Sequence, residues 1–215
     1  MKKIILTAAI LFFPLPAFAY LPSQLPHTHG VERTEISNAH PSRRTLVSAI
    51  LERQTPPHKK EATTLATYHN DAFGLSLQYP QSWEMREHML GTVVSFISPL
   101  EGSGDHIREN VNLVTQELPE NAVTLESYSD GTLRALKTFN PSMFLIASEG
   151  TVVGGLSAHS ITYEQDTGLG RIQFRQVWFL RGNEAFLFTF TAEPENFERY
   201  EKAFRTMLET MKIGA

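Results

Sequence analysis

Cysteine is absent from all 215 residues, which excludes disulfides, thiolate metal sites, a cysteine nucleophile and a lipid anchor on an N-terminal cysteine. Strongly basic stretches are missing as well: 19 Lys and Arg stand against 23 Asp and Glu, for a net charge of −4. Nothing here can track a phosphate backbone, so DNA and RNA are excluded as partners. Apolar runs are also short, and none approaches the ~20 residues needed to cross a bilayer. What is plentiful is aromatic carbon, with 14 phenylalanines in a chain long enough for one medium domain and its tails. Such a chain must hold itself together by core packing alone.

The N-terminus has the layout of an address. Lys2 and Lys3 precede an apolar run at 4–13, then come Pro14 and Pro16, and the small-x-small triplet Ala17, Phe18, Ala19 follows. This pattern predicts a cleavable secretory signal over 1–19, because the run is too short for a membrane anchor. The expected product is periplasmic or secreted, and it has no transmembrane segment after cleavage. Residues 20–66 read as a flexible, polar arm dotted with prolines and carrying His27, His29, His40 and His58. Within it, Leu46, Val47, Ile50 and Leu51 recur at helical spacing behind a candidate cap at Ser42, enough for a short docking helix or a transient one. His27 and His29 invite a metal, but a structural site wants four fixed ligands and this arm offers two neighbouring imidazoles. No metal or other cofactor is expected.

Residues 67–215 read as an α+β domain. Phe73, Leu75, Leu77 and Tyr79 alternate with polar partners as a half-buried strand that Pro80 ends, and Trp83 falls in a polar turn at 81–91. Strands are predicted at 93–98 and 111–117, and at 143–153, 156–165, 170–181 and 184–192. Between the two groups, Leu125, Tyr128, Leu133, Leu136 and Phe139 mark one face of a helix over 124–139, stopped by Asn140 and Pro141. Gly182 and Asn183 suit a type II′ hairpin between the last two strands. A closing helix starts near Pro194 and buries Phe197, Tyr200, Phe204, Leu208 and Met211. Its acid and base pairs four apart, Glu195 with Arg199, Glu198 with Lys202 and Glu201 with Arg205, read as a solvated outer face. The expected architecture is a central antiparallel sheet of about six to seven strands flanked by helices.

Several of these features together resemble a known family. The strand ending at Tyr79 and Pro80 with Trp83 after it, the run Gly155, Leu156, Ser157, Ala158 leading into a strand that ends near Tyr163, the aromatic hairpin and the closing helix are similar to the PsbP-like domain family. The bacterial DcrB-type branch looks closest. The resemblance implies an antiparallel sheet flanked by helices, a fold shared by photosystem extrinsic subunits, Ran-binding proteins and exported bacterial proteins. It also implies binding or assembly work without shared catalytic residues, and therefore an envelope protein as partner.

The residues that could carry chemistry are few. Gly155, Ser157 and His159 lack the second glycine and the strand-to-helix turn of a nucleophile elbow, so a hydrolase is not expected. The run from Glu101 to His106 fails the alternating oxygen spacing of a calcium loop, and like Asp166, Thr167, Gly168 it reads as a turn. Arg171 and Arg175 share a strand face with Gln173, either to recognise an anion or simply to solvate an exposed sheet face. Trp83 and Trp178 could line a pocket between sheet and helix, the basis of an alternative reading as a small-ligand carrier.

Overall fold

The computed structural model describes residues 64–102, 107–119, 123–168 and 170–214. The signal-like segment, the arm up to residue 63 with its histidines and the amphipathic stretch 42–54, and residues 103–106 of the acidic turn lie outside the described residues. Strands β1 (Leu65–Asn70), β2 (Leu75–Pro80), β3 (Glu84–Glu87), β4 (Val94–Ile97) and β5 (Asn110–Glu117) lead into helix α1 (Leu125–Phe139). Then come β6 (Phe144–Val153), β7 (Leu156–Thr167), β8 (Gly170–Arg181) and β9 (Glu184–Ala192), followed by α2 (Pro194–Glu209) and the short β10 (Lys212–Ile213).

Seven strands make one antiparallel sheet in the order β3-β4-β5-β9-β8-β7-β6. The α+β class and the antiparallel centre are as expected, but the layout differs in two ways. The strand ending at Pro80 does not join the large sheet. It pairs instead with β1 and β10 in a separate three-stranded sheet. The turn predicted at 81–91 contains a strand, β3, which pairs with β4 along its charged length. β1 likewise begins at Leu65, inside the stretch read as arm, and only Tyr68 of its six residues is buried.

Both faces of the large sheet are covered at its centre. Along β8, Ile172, Phe174 and Trp178 point toward α1 and pack with Tyr128, Leu136 and Tyr163. Val177 and Phe179 point the other way and join Phe186, Phe188, Phe190, the α2 residues Phe197, Phe204 and Met207, and Leu75 and Leu77 of the small sheet. Strands buried on two faces lose the polar alternation of a one-sided sheet, which is why residues 177–180 of β8 and 185–188 of β9 read as unbroken apolar runs. Helix α2 thus packs against both sheets, with Phe204 stacked on Phe190 at 5.6 Å.

Local sequence sets the joints. Gly182 alone takes positive φ, at 57°, at the β8-β9 turn, as type II′ requires, whereas Gly154 and Gly155 both do, at 56° and 83°, at the β6-β7 turn, matching type I′. Helix α1 buries Tyr128, Thr132, Leu136 and then Asn140, a row in steps of four. Phe139, expected on the apolar stripe, stands one position off that row and is 68% exposed. Thr124 caps α1 in a reciprocal box: its hydroxyl accepts from the Ser127 N–H at 3.1 Å, and the Ser127 hydroxyl accepts from the Thr124 N–H at 3.1 Å. Thr124→Ala should therefore cost about 1 kcal/mol, read as a lowered urea midpoint at unchanged slope.

Candidate functional site

The large sheet ends in two very different edges. β3 is short, and Glu84, Arg86 and Glu87 make it charged, the usual way of blunting an edge. β6 is ten residues long and carries one charge, Glu149. Among the described residues it has a hydrogen-bonded neighbour on one side only, β7. Phe144, Ile146 and Val152 stand out of it at 68%, 48% and 68% exposure.

Between β6 and α1 runs an open groove of about 510 Å³. Leu125, Asp130 and Leu133 form its helix side, and Gly150, Val152, Ser157 and His159 its floor. His159 pairs across the ladder with Trp178, and its imidazole stacks on the indole with centroids 5.2 Å apart. The indole N–H donates to Ser129 Oγ at 2.9 Å, and the Ser129 hydroxyl donates in turn to the Leu125 carbonyl at 2.7 Å, so helix and floor are tied together. Nε2 of His159 lies 2.9 Å from Ser148 Oγ. Burial pushes the imidazole pKa below its ordinary value, against the opposing pull of the Asp130 carboxylate. At neutral pH the floor is therefore an uncharged, hydrogen-bonding ring beside the two carboxylates of the first half of α1, Glu126 and Asp130.

Sequence spacing placed Ser157 and His159 on one face, and they do share it. The hydroxyl that meets the imidazole nonetheless belongs to Ser148, and the reason is a bulge. Phe144 and Leu145 pair with Glu164 and Tyr163, whereas Ala147 and Ser148 pair with Thr162 and Ile161, so Ile146 is the extra residue. One inserted residue turns every later side chain of a strand to the other face, and this one turns Ser148, Gly150 and Val152 toward α1.

Comparison with known proteins places the fold. The sequence profile of the PsbP-like protein family matches residues 47–213. The chain belongs to the PsbP-like family. The solution structure of cyanobacterial PsbP (CyanoP) from Synechocystis sp. PCC 6803 shares the fold at 18% identity and a TM-score of 0.55, over 72% of this chain and 95% of that one. LpqN of Mycobacterium tuberculosis, described as involved in cell envelope biogenesis, does so at 13% identity and a TM-score of 0.52, over 71% and 91%. No curated protein sequence matches the chain.

Within this PsbP-like frame the four residues singled out from the sequence separate. Trp83 packs on Tyr200 at 6.1 Å in the α2-side core, and Trp178 lies in the core beneath α1. They stand on opposite faces of the sheet, so one pocket lined by both does not exist. Arg175 is not on a solvated face: it reaches under α2, ion-paired with Glu201 and donating to Ser160 Oγ at 3.2 Å. Glu201 consequently points inward, and it bonds Arg205 at 3.1 Å as well. Arg171 is exposed and lies near Asp166 and Glu164, at 3.4 and 3.8 Å. The two arginines thus answer to different carboxylates and form no shared anion site.

A second crevice, of about 420 Å³, opens beside Trp83 between Leu65, Pro80, Arg199, Ala203 and Thr206. It is lined by two cations, Arg199 and Lys202, of which Arg199 is engaged: its Nη2 lies 2.6 Å from Glu101, whose carboxylate also accepts from the Tyr200 hydroxyl. Among the described residues, no three His, Asp or Glu side chains are placed to hold a metal, and no helix is long and apolar enough to cross a membrane.

Proposed function

We propose that this PsbP-like protein works outside the cytoplasm as a non-enzymatic accessory protein, binding a protein of the cell envelope through the β6 edge and the groove beside it. The observation that carries the reading is β6 itself, ten residues of strand with, among the described residues, one neighbouring strand and three exposed apolar side chains. Exposed apolar groups gathered on an edge mark contact surfaces more often than scattered ones do. The predicted export signal fits this place of work, as does the fold shared with LpqN, described as involved in cell envelope biogenesis. Site-specific photo-crosslinking in cells tests it. A photoreactive residue at Phe144 or Val152 should give one discrete adduct, and the same group at Lys202 on α2 should give none. Absence of adducts from both β6 positions would defeat the reading.

The groove supports a second reading, a small-ligand carrier, since about 510 Å³ lies within the usual range for ligand sites. Native mass spectrometry of the purified protein separates the two. A co-purifying small molecule displaced by Val152→Trp favours the carrier, and its absence favours the protein partner.

A further inference from the structure

Resting on the reading of β6 as a contact surface, we infer that β6 accepts an extended, lysine- or arginine-bearing segment of a partner protein as an eighth strand of the sheet, with a basic side chain reaching Asp130 across Gly150. Three features point to this occupant. The middle of β6, residues 147–151, carries only small side chains and Glu149, which leaves its backbone open to strand addition, a recurrent mode of peptide capture. A side chain added at Gly150 would meet nothing within 4 Å, so the floor beside His159 is open to an incoming group. Among the described residues, the charges on the groove and this edge are the carboxylates of Glu126, Asp130 and Glu149, and no lysine or arginine lines the groove.

The same charges disfavour a second copy of this chain. Two β6 strands paired antiparallel about Glu149 would set the two Glu149 side chains directly opposite each other, where like charges destabilise a ladder. A basic strand meets complementary charge instead, with the neutral His159 ring beneath it.

Two decapeptides supply the test, one alternating Lys and Val and one alternating Glu and Val, titrated against the full-length protein and followed by hydrogen exchange. The lysine peptide should bind in a salt-sensitive way and protect amides of β6, and the glutamate peptide should not bind. Asp130→Asn combined with Glu126→Gln should weaken binding about tenfold. Gly150→Lys, which fills the open floor with a like charge, should abolish it while leaving Tm unchanged. Should the lysine substitution unfold the protein, the neutralising pair still decides. Equal binding of both peptides, or lysine binding without β6 protection, overturns the inference. If crosslinks from Val152 persist in that case, the contact-surface reading stands and only the chemistry of its occupant falls.

Discussion

Trp178→Ala is expected to cost about 3–5 kcal/mol and to lower Tm by roughly 10 °C, because a large buried ring is lost and the cavity collapses only in part. Trp178 is fully buried, stacks on His159, meets Tyr128 edge-on at 6.5 Å, and donates its N–H to Ser129 Oγ. It is the ring on which α1, β7 and β8 converge. Trp178→Phe should cost far less, about 1–2 kcal/mol, since most apolar contact survives and the Ser129 hydroxyl keeps its bond to the Leu125 carbonyl. Urea unfolding followed by circular dichroism measures both, and equal losses for the two variants would contradict the stacked arrangement. A second readout concerns the neighbour. Burial lowers the His159 pKa, so removing the indole should let the imidazole titrate closer to its ordinary value in an NMR pH series.

The elements that could be read from sequence are those whose own side chains declare their burial. The β8-β9 hairpin announces itself through Phe174, Trp178, Phe186, Phe188 and Phe190, and α2 through Phe197, Tyr200 and Phe204 at helical spacing. β1, β3 and β10 are silent, because they exist through hydrogen bonds to a neighbour and bury little of their own. Glu84, Met85, Arg86 and Glu87 show no alternation at all, yet they pair with Ile97, Phe96, Ser95 and Val94.

The groove is illegible for a different reason. His159 was visible as a candidate, but its partners Ser148 and Trp178 depend on ladder register, and the face of Ser148 depends on one bulged residue, Ile146. Asp130 joins them only because α1 crosses the sheet there. The misreading of Arg175 has the same origin: period-two alternation tells which residues share a face, and the docking of α2 decides whether that face is wet. Glu201 was assigned to the outer row by spacing alone, and the sheet beneath it supplies the arginine that turns it inward.

Alkaline pH should unfold this protein well before its arginines lose charge. Burial raises the phenol pKa of Tyr68, Tyr128, Tyr163 and Tyr200, and Tyr128 is pushed up to about 12. In the unfolded chain each phenol ionises near 10, whereas in the folded chain it stays protonated beyond that. The folded state then holds more protons than the unfolded one, so stability is complete below about pH 10 and falls as pH rises toward the folded values. Tyr128 alone accounts for roughly 2 kcal/mol lost by pH 12, and the other three add to the slope. Urea midpoints should therefore be flat from pH 8 to 9.5 and drop steeply above 10, with tyrosinate absorbance at 295 nm appearing together with unfolding. Tyr128→Phe provides the control. It gives up the bond from the hydroxyl to Gln116 Oε1 and should be slightly less stable at pH 8, but its decline above pH 10 should be shallower by one group. Should the buried tyrosines ionise near pH 10 with the fold intact, the phenols would be in contact with water and the α1-side core would not be closed as described.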